Sequence, residues 1–223
     1  MPKLLRNTAL ALLMTANVPA YAQDRHVIIG LDVSDSTPLI NDEAYAGRAA
    51  QAVSDLLGDL EAGDRVSVET IGNYGIAEKT LRFEWTVSRR APAVKIRRTL
   101  TGLISRLPKI VQSGKLEPAQ STNIAGFLEM ASYSVDCEAR ETSFLLLTDG
   151  IEWSSRTNGR ALAAGDASLP APPEDGLKGC ELTMLGIGQT VEGADPAATG
   201  NLIKAWKTWS AAAGCTFKPK PMF

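Results

Sequence analysis

The chain has 223 residues, enough for one domain with a sizeable core. Its 44% hydrophobic and 22% charged content is that of a folded globular protein, and excludes a mostly disordered or membrane-embedded chain. A formal net charge of −2 gives no basic excess and argues against nucleic acid or an anionic lipid surface as partner.

The first 22 residues read as a secretory signal. Lys3 and Arg6 make a basic start, and Thr8 to Val18 is mostly apolar yet too short to span a bilayer. Pro19 and the small-x-small triplet Ala20-Tyr21-Ala22 mark a cleavage point, with Gln23 as the new N-terminus. Removing the segment takes two basic residues and no acidic one, so the charge falls from −2 to −4. No later apolar run reaches spanning length. The expectation is an exported protein without a membrane span, periplasmic or secreted, whose residues 23–223 form one domain.

His26 to Leu31 is a short apolar run and predicts the first strand. Asp42 to Leu60 carries Ala46, Ala49, Val53, Leu56, Leu57 and Leu60 at helical spacing, with Asp42 placed to cap its start. Asp64 to Ile71 alternates and predicts a second strand, followed by a turn cluster at Gly72 to Gly75. Leu81 to Val87 predicts a third strand; alternating Arg82 and Glu84 suit an antiparallel edge. Ala93 to Leu107 predicts a helix with Ile96, Leu100, Leu103, Ile104 and Leu107 on its inner face. Lys95, Arg97, Arg98 and Arg106, with Arg89 and Arg90, fall on its outer side and read as a solvated face.

Gln112 to Ser121 predicts a loop, and Ile124 to Ser134 a helix with Ile124, Phe127, Leu128 and Ala131 facing in. Ser143 to Thr148 is a continuous apolar run of the kind buried on both faces. Gly150 to Gly179 is long and polar, with a short helix near Arg160 to Ala164. Glu181 to Gly188 predicts strand five, Asp195 to Ala213 the last helix, and Cys215 to Lys218 a short final strand. Strands alternating with helices predict a doubly wound α/β fold. Its mainly parallel sheet has one antiparallel edge strand and helices on both faces. Such sheets bind ligands at the carboxyl ends of strands, where the strand order reverses.

Asp32-Val33-Ser34-Asp35-Ser36 sits at the carboxyl end of the first strand. Alternate residues of an extended segment point the same way, so Asp32, Ser34 and Ser36 can converge on one point. Three hard oxygen donors there suit a small divalent cation, Mg2+ most naturally or Mn2+. Thr122, just before a helix, offers a further hydroxyl, and the strand 144–148 ends in Asp149. Asp35 points away from that convergence. Singly, the hydroxyls also suit turn and helix capping.

With Asp32, Ser34, Ser36, Thr122 and Asp149 in this order, the chain resembles the von Willebrand factor type A domains. Their metal-ion-dependent adhesion site runs Asp-x-Ser-x-Ser, then a distant Thr, then a strand ending in Asp. The resemblance extends from about Gln23 to the C-terminus. It implies that the strands ending at Asp32 and Asp149 lie side by side. It also implies a site that binds Mg2+ or Mn2+, some donors acting through water, and a partner protein that offers a Glu or Asp to the metal. On this reading the protein is a binding module and not an enzyme.

The competing enzyme class is a Mg2+-dependent phosphatase of the haloacid-dehalogenase type. It needs a second Asp two positions after the first, where this chain has Ser34. No Gly-rich phosphate loop is present, and one histidine, His26, at the amino end makes no Ser-His-Asp order. A third reading is a purely structural domain that holds no metal. Glu152 and Trp153, after the Asp149 turn, read as exposed loop at the rim; Trp85, Trp206 and Trp209 read as packing residues.

Cys137, Cys180 and Cys215 predict one disulfide and one leftover thiol in an oxidising compartment. Each lies just upstream of a predicted strand, which puts all three near the amino-terminal edge of the sheet. The pair stays open, with Cys180 favoured to join either Cys137 or Cys215. Zinc is disfavoured, because no Cys-x-x-Cys exists and the single His is remote.

Overall fold

β1 (His26–Asp32) is the spine of a six-stranded sheet, in a computed structural model that describes residues 24–72 and 81–222. The expected signal segment 1–22 and residues 73–75 of the expected turn lie outside the described residues. β1 alternates between two cores. Val27, Ile29 and Leu31 enter one, and Ile28 enters the other. Burying each such side chain contributes roughly 1.5–3 kcal/mol, so a strand apolar on both faces belongs in mid-sheet.

α1 (Glu43–Leu56) follows, capped by Asp42, whose Oδ1 accepts from the Ala44 and Tyr45 amides at 2.8 and 3.0 Å. β2 (Arg65–Ile71) pairs in parallel with β1, Val27 opposite Val66 and Asp32 opposite Ile71. β3 (Arg82–Thr86) lies antiparallel to β2 at the edge of the sheet. Its Phe83 and Trp85 stack with ring centroids 5.7 Å apart.

α2 (Ala93–Ile104) buries Ile96, Leu100 and Ile104 and stops three residues before the expected end. Pro108 explains the early stop. It has no amide to donate and its ring clashes with the preceding turn, so it begins a new helix, α3 (Leu107–Gln112), instead. Of the basic residues on this side, Arg89, Arg90, Lys95, Arg98 and Arg106 are exposed, and Arg97 is partly buried.

α4 (Ile124–Ser132) leads to β4 (Thr142–Leu147), which pairs in parallel with β1, Leu31 opposite Leu147. The long polar stretch after it holds α5 (Gly159–Ala164). β5 (Glu181–Leu185) pairs in parallel with β4. It ends earlier than expected, because Gly186 and Gly188 adopt left-handed backbone angles, φ +87° and +81°, that break the strand. The chain then makes a small hairpin of β6 (Gln189–Thr190) and β7 (Gly193–Ala194). α6 (Pro196–Ala212), capped by Asp195, leads to β8 (Thr216–Lys220), parallel to β5 at the other edge.

The sheet order is β3-β2-β1-β4-β5-β8, mainly parallel with one antiparallel edge strand and helices on both faces. α1 and α2 cover one face, and α4, α5 and α6 cover the other. The order reverses between β1 and β4, so a crevice opens at the carboxyl ends of those two strands. The disulfide joins Cys137 to Cys180, and Cys215 is a buried free thiol. Among the described residues no helix is long and apolar enough to cross a membrane.

Candidate metal centre

Asp32 is the last residue of β1, and Asp149 stands two residues past the end of β4. Because these strands are neighbours, both carboxylates arrive at the crevice, and both are fully buried. Each oxygen of Asp32 has a donor. Oδ1 accepts from the Ser34 amide at 2.9 Å, and Oδ2 accepts from the Thr148 hydroxyl at 2.7 Å. Asp149 is less well served. Its Oδ1 accepts from the Ile151 amide at 2.8 Å, whereas its buried Oδ2 has no hydrogen-bond partner.

Two buried carboxylates this close disfavour each other's charge. Burial, and then the charge of Asp32, push Asp149 up to about 7; the Ile151 amide and the nearby Ser36 hydroxyl offset part of the effect. Burial likewise raises Asp32, against hydrogen bonds from Thr148 and Ser34. Tyr45, from the first turn of α1, feels the same pair. Burial and then the charge of Asp149 raise its phenol.

Ser34, Ser36 and Thr122 open onto one cleft at this end of the sheet. Ser34 and Ser36 Oγ atoms are 3.1 Å apart. Ser34 is held by a parallel bridge to Ala119, whose amide donates to the Val33 carbonyl at 2.9 Å. Thr122 is fixed by a two-way bridge to Trp153, each amide donating to the other's carbonyl, at 2.9 and 2.8 Å. The cleft they share has a volume of about 370 Å³. Trp153, 41% exposed, and the exposed Asp35 also line it, so Asp35 does not turn away from the cleft, contrary to expectation. The β6–β7 hairpin borders the cleft and is tied to the Asp32 loop by the Val191 amide, which donates to the Ser36 carbonyl at 3.0 Å.

The turn after Asp149 is fixed from below. Gly150 has φ +77°, and a Cβ there would stand 2.8 Å from Ile187 Cγ1. The buried Trp206 of α6 donates its indole Nε1 to the Gly150 carbonyl at 2.8 Å. Thus a packing tryptophan also pins the backbone that aims Asp149.

Glu152 departs from expectation. It is fully buried and lies beneath the rim, with Oε2 accepting from the Ala125 amide at 3.0 Å at the start of α4. An exposed helix start would leave its amides to water; here α4 begins inside the protein, and a carboxylate supplies the acceptor. Trp153 does lie at the rim. His26 Nε2 lies 2.8 Å from Ser67 Oγ at the far end of β1, away from the crevice. Thr148 and Tyr45 act on the carboxylates although the motif passes them over, and Glu152 braces the start of α4. Only Thr148 has a sequence signal, since it is the residue that follows Leu147 as Asp32 follows Leu31.

Among the described residues no group of three or more His, Cys, Asp or Glu side chains could hold a metal. A cation here would rest on two carboxylates and three neutral hydroxyls. That donor set suits a hard ion with oxygen preference, and the unpaired Oδ2 of Asp149 is a free donor for it.

No family model and no curated protein matches the chain. Solved structures do. An aerotolerance-related membrane protein from Bacteroides fragilis, crystallised with multiple mutations to serines, is 16% identical at a TM-score of 0.48, covering 87% of this chain and 90% of that one. A von Willebrand factor type A protein from Catenulispora acidiphila is 16% identical at 0.44, covering 88% of this chain and 38% of that one. The pilus adhesin SpaC from Lactobacillus rhamnosus GG is 12% identical at 0.49, covering 91% of this chain and 29% of its own length. At such identities and scores these likenesses carry no argument about family or activity.

Proposed function

We propose that this protein is an exported, metal-dependent protein-binding module. Asp32, Ser34, Ser36, Thr122 and Asp149 would hold Mg2+ or Mn2+, directly or through water. The observation that carries the reading is the buried, unpartnered Oδ2 of Asp149, set against the Asp32 carboxylate and close to the Ser36 hydroxyl. A divalent ion would balance the charge of the pair, and neutral hydroxyls as its other donors would leave it electrophilic enough to take a further carboxylate as ligand. The partner is accordingly a protein that presents a Glu or Asp at the cleft. The disulfide and the sequence of residues 1–22 support a periplasmic or secreted location.

The test is a thermal melt of the protein in chelator, then with millimolar Mg2+ or Mn2+. An ion that binds only the folded state raises Tm, by about 2.7 kcal/mol of stability at 100 times its Kd. An unchanged Tm with either ion would remove the metal from the proposal. Magnesium-dependent hydrolysis of p-nitrophenyl phosphate would favour the phosphatase reading instead.

A further inference from the structure

The disulfide ties Cys137, in the turn between α4 and β4, to Cys180, the residue before β5, with Cα atoms 5.1 Å apart. Cys215, the residue before β8, is the buried free thiol. β5 and β8 pair in parallel with Glu181 opposite Thr216, and the Thr216 amide donates to the Cys180 carbonyl at 2.9 Å. One step back along both strands, Cys180 and Cys215 stand opposite each other. They also share a face. Leu182 and Met184 alternate with Cys180, Phe217 alternates with Cys215, and all of them pack in the core beneath α4 and α6. Cys137 packs against that same core. Neighbouring strands lie about 4.7–4.9 Å apart, inside the window of about 4.4–6.8 Å that a disulfide requires between Cα atoms. That spacing meets the Cα requirement for Cys180 and Cys215, while Cys180 is joined to Cys137.

We propose that the three cysteines form an internal thiol–disulfide exchange centre, in which Cys215 displaces Cys137 from Cys180. The Cys215 thiol gives its proton to water, and its sulfur attacks Sγ of Cys180. The Cys137–Cys180 bond breaks as the Cys180–Cys215 bond forms, and Cys137 leaves as a thiolate that takes a proton from water. One disulfide and one thiol enter the step and one of each leaves it, so no oxidant or reductant is needed. Burial pushes the Cys215 thiol up, which keeps its thiolate scarce and the exchange slow. The exchange moves the covalent tie from the turn after α4 to the β5–β8 ladder. It also moves the free thiol from a buried strand end to the half-buried Cys137 turn, where an external thiol or disulfide can reach it.

The test is to hold the folded protein with a trace of reduced glutathione, block thiols with N-ethylmaleimide, and map the label by mass spectrometry. Label on both Cys137 and Cys215, together with a Cys180–Cys215 linked peptide, is the expected result. Label on Cys215 alone, with no such peptide, would overturn the proposal. Cys137→Ala gives an independent reading. After air oxidation and unfolding it should show no titratable thiol, whereas two thiols would count against the exchange. Cys215→Ala should take no label, which guards against scrambling by the added glutathione. If Cys137→Ala does not fold, the label map of the parent protein decides alone.

Discussion

The Thr148 hydroxyl donates to Oδ2 of Asp32 at 2.7 Å across the seam between β1 and β4. That bond completes the shell of one buried carboxylate and leaves its neighbour Asp149 with an unpartnered oxygen. The asymmetry follows from register. Leu31 faces Leu147 as the last strand pair, so Asp32 and Thr148 are level just past it, and Asp149 falls two residues beyond that pair.

Thr148→Val keeps the shape and removes both this donor and the acceptor of the Gly150 amide, which donates to the Thr148 hydroxyl at 3.0 Å. A buried carboxylate oxygen left without its partner costs about 1–3 kcal/mol. Urea unfolding of the metal-free protein should show a loss in that range. A change within experimental error would mean that water replaces the hydroxyl.

The metal-free protein should grow more stable as pH falls from about 8 to about 5.5. Asp149 in the folded state holds its proton up to about 7, whereas its ordinary value is 3.8. Between those values the folded state binds more protons than the unfolded one, so raising pH favours unfolding. Tm in chelator, measured across that range, should therefore decline with rising pH. Saturating Mg2+ should reverse the trend near neutrality if the proposed ion binds the ionised pair.

Asp149→Asn removes one charge of the pair at nearly constant volume. Without metal, at about pH 7.5, the variant should melt above the parent, because the repulsion from Asp32 is gone. Millimolar Mg2+ should raise Tm of the parent and leave the variant where it was. A metal-induced rise of equal size in both would place the ion elsewhere.

Gly150→Ala tests the turn that aims Asp149. Alanine at φ +77° is strained, and its Cβ would meet Ile187 Cγ1 at 2.8 Å. A loss of about 1–3 kcal/mol is expected. The Mg2+ response should weaken as well, because the turn must shift to make room. Retention of the full metal response would separate the turn from the site.

The sheet and its motif were legible because their signals are local. Apolar runs such as 26–31 and 143–148 announce central strands, and each is followed by a buried carboxylate at the crevice. The break at Pro108 was also written in the sequence, yet the apolar spacing through Leu107 carried the predicted helix past Ile104. Glu152 was not legible. Its neighbours Ile151 and Trp153 give no period, and only the buried start of α4 makes a carboxylate useful there. The role of Trp206 was half visible: helical spacing predicts that it packs inward, but not that its indole reaches Gly150, 56 positions away in sequence. The disulfide partner could not be chosen because Cys180 lies between two candidates in sequence: it is bonded to Cys137, and the strand it precedes pairs with the strand that Cys215 precedes.

Gly30 sits mid-strand in β1, where any Cβ would stand 2.7 Å from Leu146 Cδ2 and 2.8 Å from Ile71 Cδ1. That vacancy for a side chain is already filled by leucine and isoleucine from the strands on either side. In a saturation library screened for expression of folded protein, position 30 should tolerate glycine and little else, whereas the exposed β3 position Phe83 should accept many residues.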